Sequence, residues 1–239
     1  IEAEISKLAY DARNRFIADV DYTTRISHML APETAASLAS LVDLKRTITN
    51  PSTATEAVHK DTVYITVVDK DRMAVSLIYS IFHSFGSGIA SDRYGILFQN
   101  RGAGFTLEKG HPNELAGGKR PMHTIIPGML AQNGQITMPF GVMGGAYQPN
   151  GHARLLSNML DFDLNIQAAI DAPRSFYDNG ILKIERGYAS EVHQRLADMG
   201  HKIEIPEGPI GGAQAIFIGD DGILTGASDP RKDGCALGY

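Results

Sequence analysis

One break in pattern divides this chain of 239 residues. Residues 45–61, KRTITNPSTATEAVHKD, are rich in Thr, Ser and Asn, carry a proline and show no apolar period. That is the composition of a loop or linker. The next residue, Thr62, opens the run TVYITVVD, and MAVSLIYSI follows the polar stretch Asp69–Arg72. Two apolar runs around a polar turn predict a β-hairpin. A threonine at the head of a strand has two readings. Thr is a good strand former, and strands must begin somewhere. It also gains chemistry if the chain is cut before it. The freed α-amine, with a reference pKa of about 8, then supplies a base on the residue whose hydroxyl it can activate.

Elsewhere the periods alternate between helix and strand. Ile5, Leu8, Ala9, Ala12 and Phe16 recur at helical spacing and predict a helix over 2–17. Pro32 and Glu33 open a second helix over 33–43. Strands are expected at 94–100 (YGILFQN) and 135–143 (QITMPFGVM), and helices at 151–160, 164–171 and 189–199, the last stopped by Gly200. Residues 211–228 read as a closing hairpin turning at Asp221–Gly222. Strands, then helices, then strands predict an α+β layered domain.

Charge and side-chain inventory remove several functions. The 22 basic and 27 acidic residues give a net charge of −5 and form no basic patch, so nucleic acid is not an expected partner. No apolar run approaches the roughly 18 residues that span a bilayer, so no membrane partner is expected either. The single Cys235 excludes a disulfide within the chain and a cysteine-only metal cluster, and reads as a small packing residue. Eight His are scattered without HExxH or His–Cys ligand spacing, so neither metal nor cofactor is expected. The chain opens on Ile1, and IEAEISKLAYDARNRF reads like the middle of a domain. The expectation is the C-terminal part of a longer precursor, cytoplasmic by default, with any targeting segment outside this sequence.

Acyl transfer through a hydroxyl also needs donors for an oxyanion, and glycines let backbone N–H groups approach closely. Gly144–Gly145, after the strand ending at Met143, offers such a pair, although a Gly-Gly is also an ordinary turn. The order of segments is more specific than any one of them. DTVYITVVDKDRMAVSLIYS, FGSGI (85–89), GILFQN (95–100), KRPMHTIIP (119–127), GVMGG (141–145), DAPR (171–174) and GASDPRKDG (226–234) succeed one another. Together they resemble the small, catalytic subunit of the γ-glutamyltransferase family of N-terminal-nucleophile hydrolases, over essentially all of Thr62–Tyr239. Residues 1–61 resemble the tail of the large subunit, ahead of the self-cleavage point.

The resemblance implies an α+β fold of the four-layer αββα sandwich type and autocleavage between Asp61 and Thr62. It implies Thr62 as nucleophile, Ser80 as a hydroxyl that helps activate it, and Gly144 and Gly145 as the oxyanion hole. The large-subunit segment of the same precursor is the implied partner, in a heterodimer that could assemble further.

The sequence also departs from that family. Arg101 and Gly104 stand where glutamyl-transferring members carry a Gln and the Asp that grips the donor's α-amino group. Phe82 replaces an Asn, and His123 and Thr124 replace a pair of serines. Arg101, His123, Thr124 and Phe82 are therefore the candidate substrate-binding residues, and the pattern resembles the transferase-like amidohydrolase branch. A guanidinium suits a substrate carboxylate, so a small acid amide such as oxamate is the expected substrate. A γ-glutamyltransferase or glutathione hydrolase, a cephalosporin-type acylase, and an uncleaved, inactive binding relative are the alternatives. Plainer roles stand beside each assignment: Arg101 pairing with a surface carboxylate, His123 packed and hydrogen-bonded, His83 as loop structure, Phe82 filling core, and GASDPRKDG ordering the C-terminal turn.

Overall fold

A computed structural model describes residues 1–49 and 62–239. In chain order its elements are α1 (Glu2–Phe16), α2 (Ile26–Met29), α3 (Pro32–Ala39), β1 (Thr62–Val68), β2 (Ala74–Ser80), β3 (Pro127–Gln132), β4 (Gln135–Met143), α4 (Gln148–Leu160), α5 (Ile166–Asp171), β5 (Ser175–Asp178), β6 (Ile181–Ile184), α6 (Ser190–Asp198), β7 (Ile203–Glu204), β8 (Gly212–Ile218) and β9 (Leu224–Ser228). They group into two compact units interleaved along the chain. One comprises 1–57, 100–123 and 174–206, the other 58–99, 124–173 and 207–239.

The second unit contains two sheets. The β1–β2 hairpin pairs antiparallel from Thr62↔Ser80 to Val68↔Ala74. The other sheet has the strand order β3-β4-β8-β9. Alternation along β1 turns Tyr64 inward, where its ring lies on the backbone of Gly141 in β4, so closely that a Cβ at Gly141 would clash with it. The Tyr64 hydroxyl is 2.7 Å from Ser76 Oγ, which donates to the Phe140 carbonyl at 3.2 Å. These bonds stitch the hairpin to β4. Met138, Phe140 and Val142 are buried along β4, each worth about 1.5–3 kcal/mol of apolar burial. Helices α4 and α5 pack on this larger sheet through Leu155, Ile166 and Ile170. The layers in this unit are thus helix, sheet, sheet. The hairpin's other face carries Val63, Ile65, Val67, Val75, Leu77 and Tyr79, all exposed.

The first unit sets α1 against β5, with the Tyr10 and Phe176 rings edge to face at 5.5 Å. Strand β6 pairs antiparallel with β5 and parallel with β7. Its core includes ions. Glu4 and Lys7 are buried and paired at 2.6 Å, with His201 Nε2 3.3 Å from the same carboxylate. The Glu4 carboxylate also accepts the Ile48 N–H at 2.6 Å. Burial pushes the Glu4 pKa up, but the hydrogen bonds from Lys7 and Ile48 outweigh it and hold the group below the usual range.

Most expected elements are present, and the differences are instructive. Helix 33–43 ends at Ala39. The strand expected at 94–100 does not form. Ile96 and Phe98 are exposed, Gly95 turns the chain at φ +64°, and among the described residues only an isolated Ala90↔Leu97 bridge is present. Apolar content there does not signal burial. Helix α2 and strands β3, β5, β6 and β7 lie outside the sequence expectations, although Asn133–Gly134 and Asn179–Gly180 turn the β3–β4 and β5–β6 hairpins with positive φ at both residues. Pro127 and Gly128 hide β3 from a propensity reading. Pro127 heads an edge strand, where a missing donor is tolerated, and a Cβ on Gly128 would lie 2.7 Å from the Phe140 ring.

Candidate active site

The hairpin register places Thr62 directly across from Ser80. Thr62 Oγ1 donates to Ser80 Oγ at 3.2 Å. The Phe82 N–H donates to the same oxygen at 3.0 Å. It can do so because Phe82 sits at φ +78°, a left-handed conformation that costs a bulky residue of order 1–3 kcal/mol. With two donors on its oxygen, the Ser80 proton must point to a third group. The Phe82 ring is buried and stacks on His83, with centroids 4.6 Å apart and planes 18° apart. Phe82 thus fills core and bends the chain that fixes Ser80. Asp61, the residue expected before the cut, lies outside the described residues, as does the linker from residue 50 onward.

Gly144 follows β4, and Gly145 opens a short 3-10 turn, Gly145–Tyr147, that leads into α4. Gly144 has φ +131° and Gly145 φ +57°. A Cβ on Gly144 would lie 3.0 Å from Gly211 Cα and 3.4 Å from the Tyr147 side chain. Tyr147 is buried and its ring also abuts Gly211 and Gly151. Backbone conformation favours glycine at both positions, crowding adds to it at Gly144, and the pair sits at a strand-to-helix junction just before α4. The packing contact Tyr64–Gly141 lies two residues along from Thr62 and three before Gly144.

Thr124, also in this unit, is buried. Two residues on, the Ile126 N–H donates to Gln148 Oε1 at 3.0 Å, and Gln148 is fully buried. His152, one turn further along α4, hydrogen-bonds the Ile126 backbone and packs its ring 4.9 Å from Phe140. Burial pushes His152 down to about 4 despite that bond, so the ring is neutral at physiological pH. Gln148 and His152 hold the lead-in to β3, and nothing in their spacing marks them as special before the fold is known.

The remaining candidates belong to the first unit. Arg101 opens a 3-10 turn, Arg101–Gly104, and is only 6% exposed. Burial pushes its pKa down. A buried guanidinium argues against the plain reading of a surface ion pair. His123 is largely exposed, and what burial it has, with the Arg101 charge next, pushes its pKa down too. The two residues thus share one electrostatic neighbourhood. Gly104 offers a carbonyl but no side chain, so no carboxylate stands there to grip an amino group.

The segment GASDPRKDG serves structure. Buried Asp229 accepts the Ala213 N–H at 2.8 Å, and Arg231 donates to the carbonyls of Ile170, Asp171 and Ala172 at the end of α5. Among the described residues there is no cluster of His, Cys, Asp and Glu able to hold a metal, and no helix long and apolar enough to cross a membrane.

A threonine-headed hairpin packed on a second sheet, with outer helices and a positive-φ glycine pair at a strand-to-helix junction, is the N-terminal-nucleophile hydrolase type of α+β sandwich. Cephalosporin acylase from Bacillus halodurans matches it with a TM-score of 0.89 and 35% identity, over 100% of this chain and 45% of that one. Residues 1–239 match the family model described as Gamma-glutamyltranspeptidase. The chain belongs to the γ-glutamyltranspeptidase family. It is 36% identical over 190 residues to the Glutathione hydrolase-like YwrD proenzyme of Bacillus subtilis, covering 76% of this chain and 36% of that protein. It is 35% identical over 249 residues to the Oxamate amidohydrolase proenzyme of Klebsiella pneumoniae subsp. pneumoniae, covering 99% and 46%. The chain spans less than half the length of these curated relatives.

Proposed function

We propose that this chain is part of an autoprocessed amidohydrolase whose nucleophile is Thr62 and whose substrate is a small amide bearing a carboxylate, of which oxamate is the simplest. The observation that carries the reading is the Thr62 Oγ1–Ser80 Oγ hydrogen bond, with the Phe82 N–H holding Ser80 from the other side. Cleavage between Asp61 and Thr62 frees the α-amine and leaves the segment up to Asp61 as partner of the 62–239 segment. The division at residue 61 and a cytoplasmic location belong to this proposal, as does further assembly of the heterodimer.

The chemistry needs no group beyond the chain and water. The α-amine takes the Thr62 hydroxyl proton as Oγ1 bonds to the amide carbonyl carbon. The carbonyl oxygen gains the electron pair and is held by the N–H groups of Gly144 and Gly145. The C–N bond then breaks, the nitrogen takes the proton, and ammonia leaves an ester on Thr62. A water, deprotonated by the same amine, attacks that ester; the acyl C–Oγ1 bond breaks, Oγ1 takes the proton back from the amine, and the acid leaves. Arg101, with His123 in the same electrostatic neighbourhood, is the proposed partner of the substrate carboxylate.

The test uses precursor of full length. A denaturing gel must show two bands, with Thr62 at the new N-terminus. A single band would favour an uncleaved binding protein. The processed enzyme is then given oxamate, a γ-glutamyl anilide and a β-lactam side-chain amide. Oxamate is expected to turn over best, with Arg101→Ala raising KM by roughly 10–150-fold, the worth of a charge-assisted hydrogen bond. A better γ-glutamyl substrate would return the assignment to the glutathione hydrolases, and a better β-lactam amide to the acylases.

A further inference from the structure

We propose that Asn113 is a positioning residue for Arg101, a single side-chain amide that ties the Arg101 turn to the segment carrying His123. The inference rests on the reading of Arg101 as the carboxylate partner. Asn113 is 6% exposed and lies in irregular chain. Its Nδ2 donates to the Gly104 carbonyl at 2.7 Å, at the end of the Arg101–Gly104 turn. Its Oδ1 accepts the Met122 N–H at 2.8 Å, one residue before His123. Both ends of the amide are thus used, each in the only orientation its chemistry allows, since Nδ2 cannot accept and Oδ1 cannot donate.

The backbone around Asn113 is itself fixed. Its N–H donates to His111 Nδ1 at 2.9 Å, and its carbonyl accepts from Thr106 at 3.0 Å. A short parallel bridge, Thr106↔Glu114, runs alongside. The two segments that the amide joins already touch, because a Cβ on Gly104 would be 3.4 Å from the Met122 carbonyl oxygen. No ladder of strand hydrogen bonds holds either Arg101 or His123. The side-chain amide is one tie between their segments, and a shifted Arg101 turn would bind a carboxylate less well without any change at Thr62.

Four variants of the processed enzyme, made from full-length precursor, test this: Asn113→Leu, Asn113→Asp, Arg101→Ala and the double variant Arg101→Ala/Asn113→Leu. Each is assayed on oxamate and on oxamide, its uncharged diamide counterpart. Asn113→Asp keeps the acceptor for Met122 but sets an oxygen against the Gly104 carbonyl. Losing one hydrogen bond should raise KM for oxamate on the order of tenfold, and losing both more, while kcat and maturation hold. KM for oxamide should stay within about twofold, and the double variant Arg101→Ala/Asn113→Leu should cost no more than Arg101→Ala alone, as coupled residues do. If Asn113→Leu does not mature, Asn113→Asp decides the question. Equal losses on both substrates, or losses that add to those of Arg101→Ala, would make Asn113 a general scaffold residue and overturn the inference alone. If Arg101→Ala leaves the oxamate preference intact, the carboxylate reading itself fails and takes this inference with it.

Discussion

The two ends of the candidate machinery are built differently. Thr62, Ser80 and the Gly144–Gly145 pair are placed by backbone: a seven-residue hairpin register, a strand end, and positive-φ glycines. Arg101 and His123 are placed by irregular chain and by the amide of Asn113. A ladder fixes many residues at once and changes only if the sheet changes. A loop held by a few side-chain hydrogen bonds can be rebuilt residue by residue. That difference suits the proposed reading, in which the catalytic positions keep the resemblance to the family and the recognition positions depart from it.

The largest expected effect lies at the ladder end. Thr62→Ala should stay uncut on a gel and show no turnover, because no second hydroxyl shares its place opposite Ser80. Ser80→Ala keeps the register but loses the oxygen that receives Thr62 Oγ1, and should lower kcat by roughly 10²-fold, the scale of one proton-transfer partner. Processed, fully active Thr62→Ala enzyme would remove the nucleophile from this strand altogether.

Next comes the glycine pair, where the two members should differ. Gly144→Ala forces φ +131° on an L-residue and brings its Cβ to 3.0 Å from Gly211 Cα, so the junction must move. We expect a loss of about 1–3 kcal/mol in stability and a kcat drop of 10-fold or more. At Gly145, φ +57° is a left-handed conformation that alanine can adopt for about 1–2 kcal/mol, a milder demand than φ +131°, so the kcat loss should be smaller. Denaturant unfolding and single-turnover kinetics on the two variants separate strain from oxyanion contact. Equal losses would show that crowding at Gly144 is relieved without consequence.

What was legible in the sequence follows the same division. The hairpin from Thr62 to Ser80, β4, α4, α6 and the closing β8–β9 hairpin are announced by strong periods and by Gly at their ends. The candidate catalytic residues lie on those elements or at their ends, so they could be named. The Arg101 substitution could be named as well, but its burial could not, since a guanidinium in a short 3-10 turn carries no period. Asn113, Gln148 and His152 were missed because each acts through one or two backbone bonds to segments distant in sequence. The false strand at 94–100 is the opposite error, where apolar residues that remain exposed mimic a buried run.

His152 offers a test of how far the ladder end depends on helix α4. Burial holds its ring neutral down to about pH 4, whereas an unfolded histidine takes up a proton at about pH 6.5. Between those values the unfolded chain binds the extra proton, so stability must fall as pH falls, by at most about 3 kcal/mol from this residue. His201 and His123, whose pKa values are also lowered by burial, add to the loss in the same direction. Thermal unfolding from pH 7 to pH 4 should therefore be less steep in His152→Gln than in the parent, though not flat. An unchanged slope would mean that His152 is hydrated in solution and that α4 does not seal the lead-in to β3.

The smallest effect is expected at the loop end, from Gly104→Ala. Gly104 does not have positive φ, so alanine meets no backbone strain there. Its Cβ would lie 3.4 Å from the Met122 carbonyl oxygen and 3.6 Å from Pro121 Cβ, ordinary van der Waals distances. The Gly104 carbonyl, which Asn113 grips, is unaltered by the added methyl. Stability should stay within about 0.5 kcal/mol, as for a surface change that touches no special feature, and KM for a carboxylate amide within about twofold. A tenfold rise in KM with unchanged stability would mean that the absence of a side chain at this position is itself part of recognition. The Arg101 turn would then be as tightly bound to its backbone as Gly144, and the contrast between a fixed catalytic end and a rebuildable recognition end would fall.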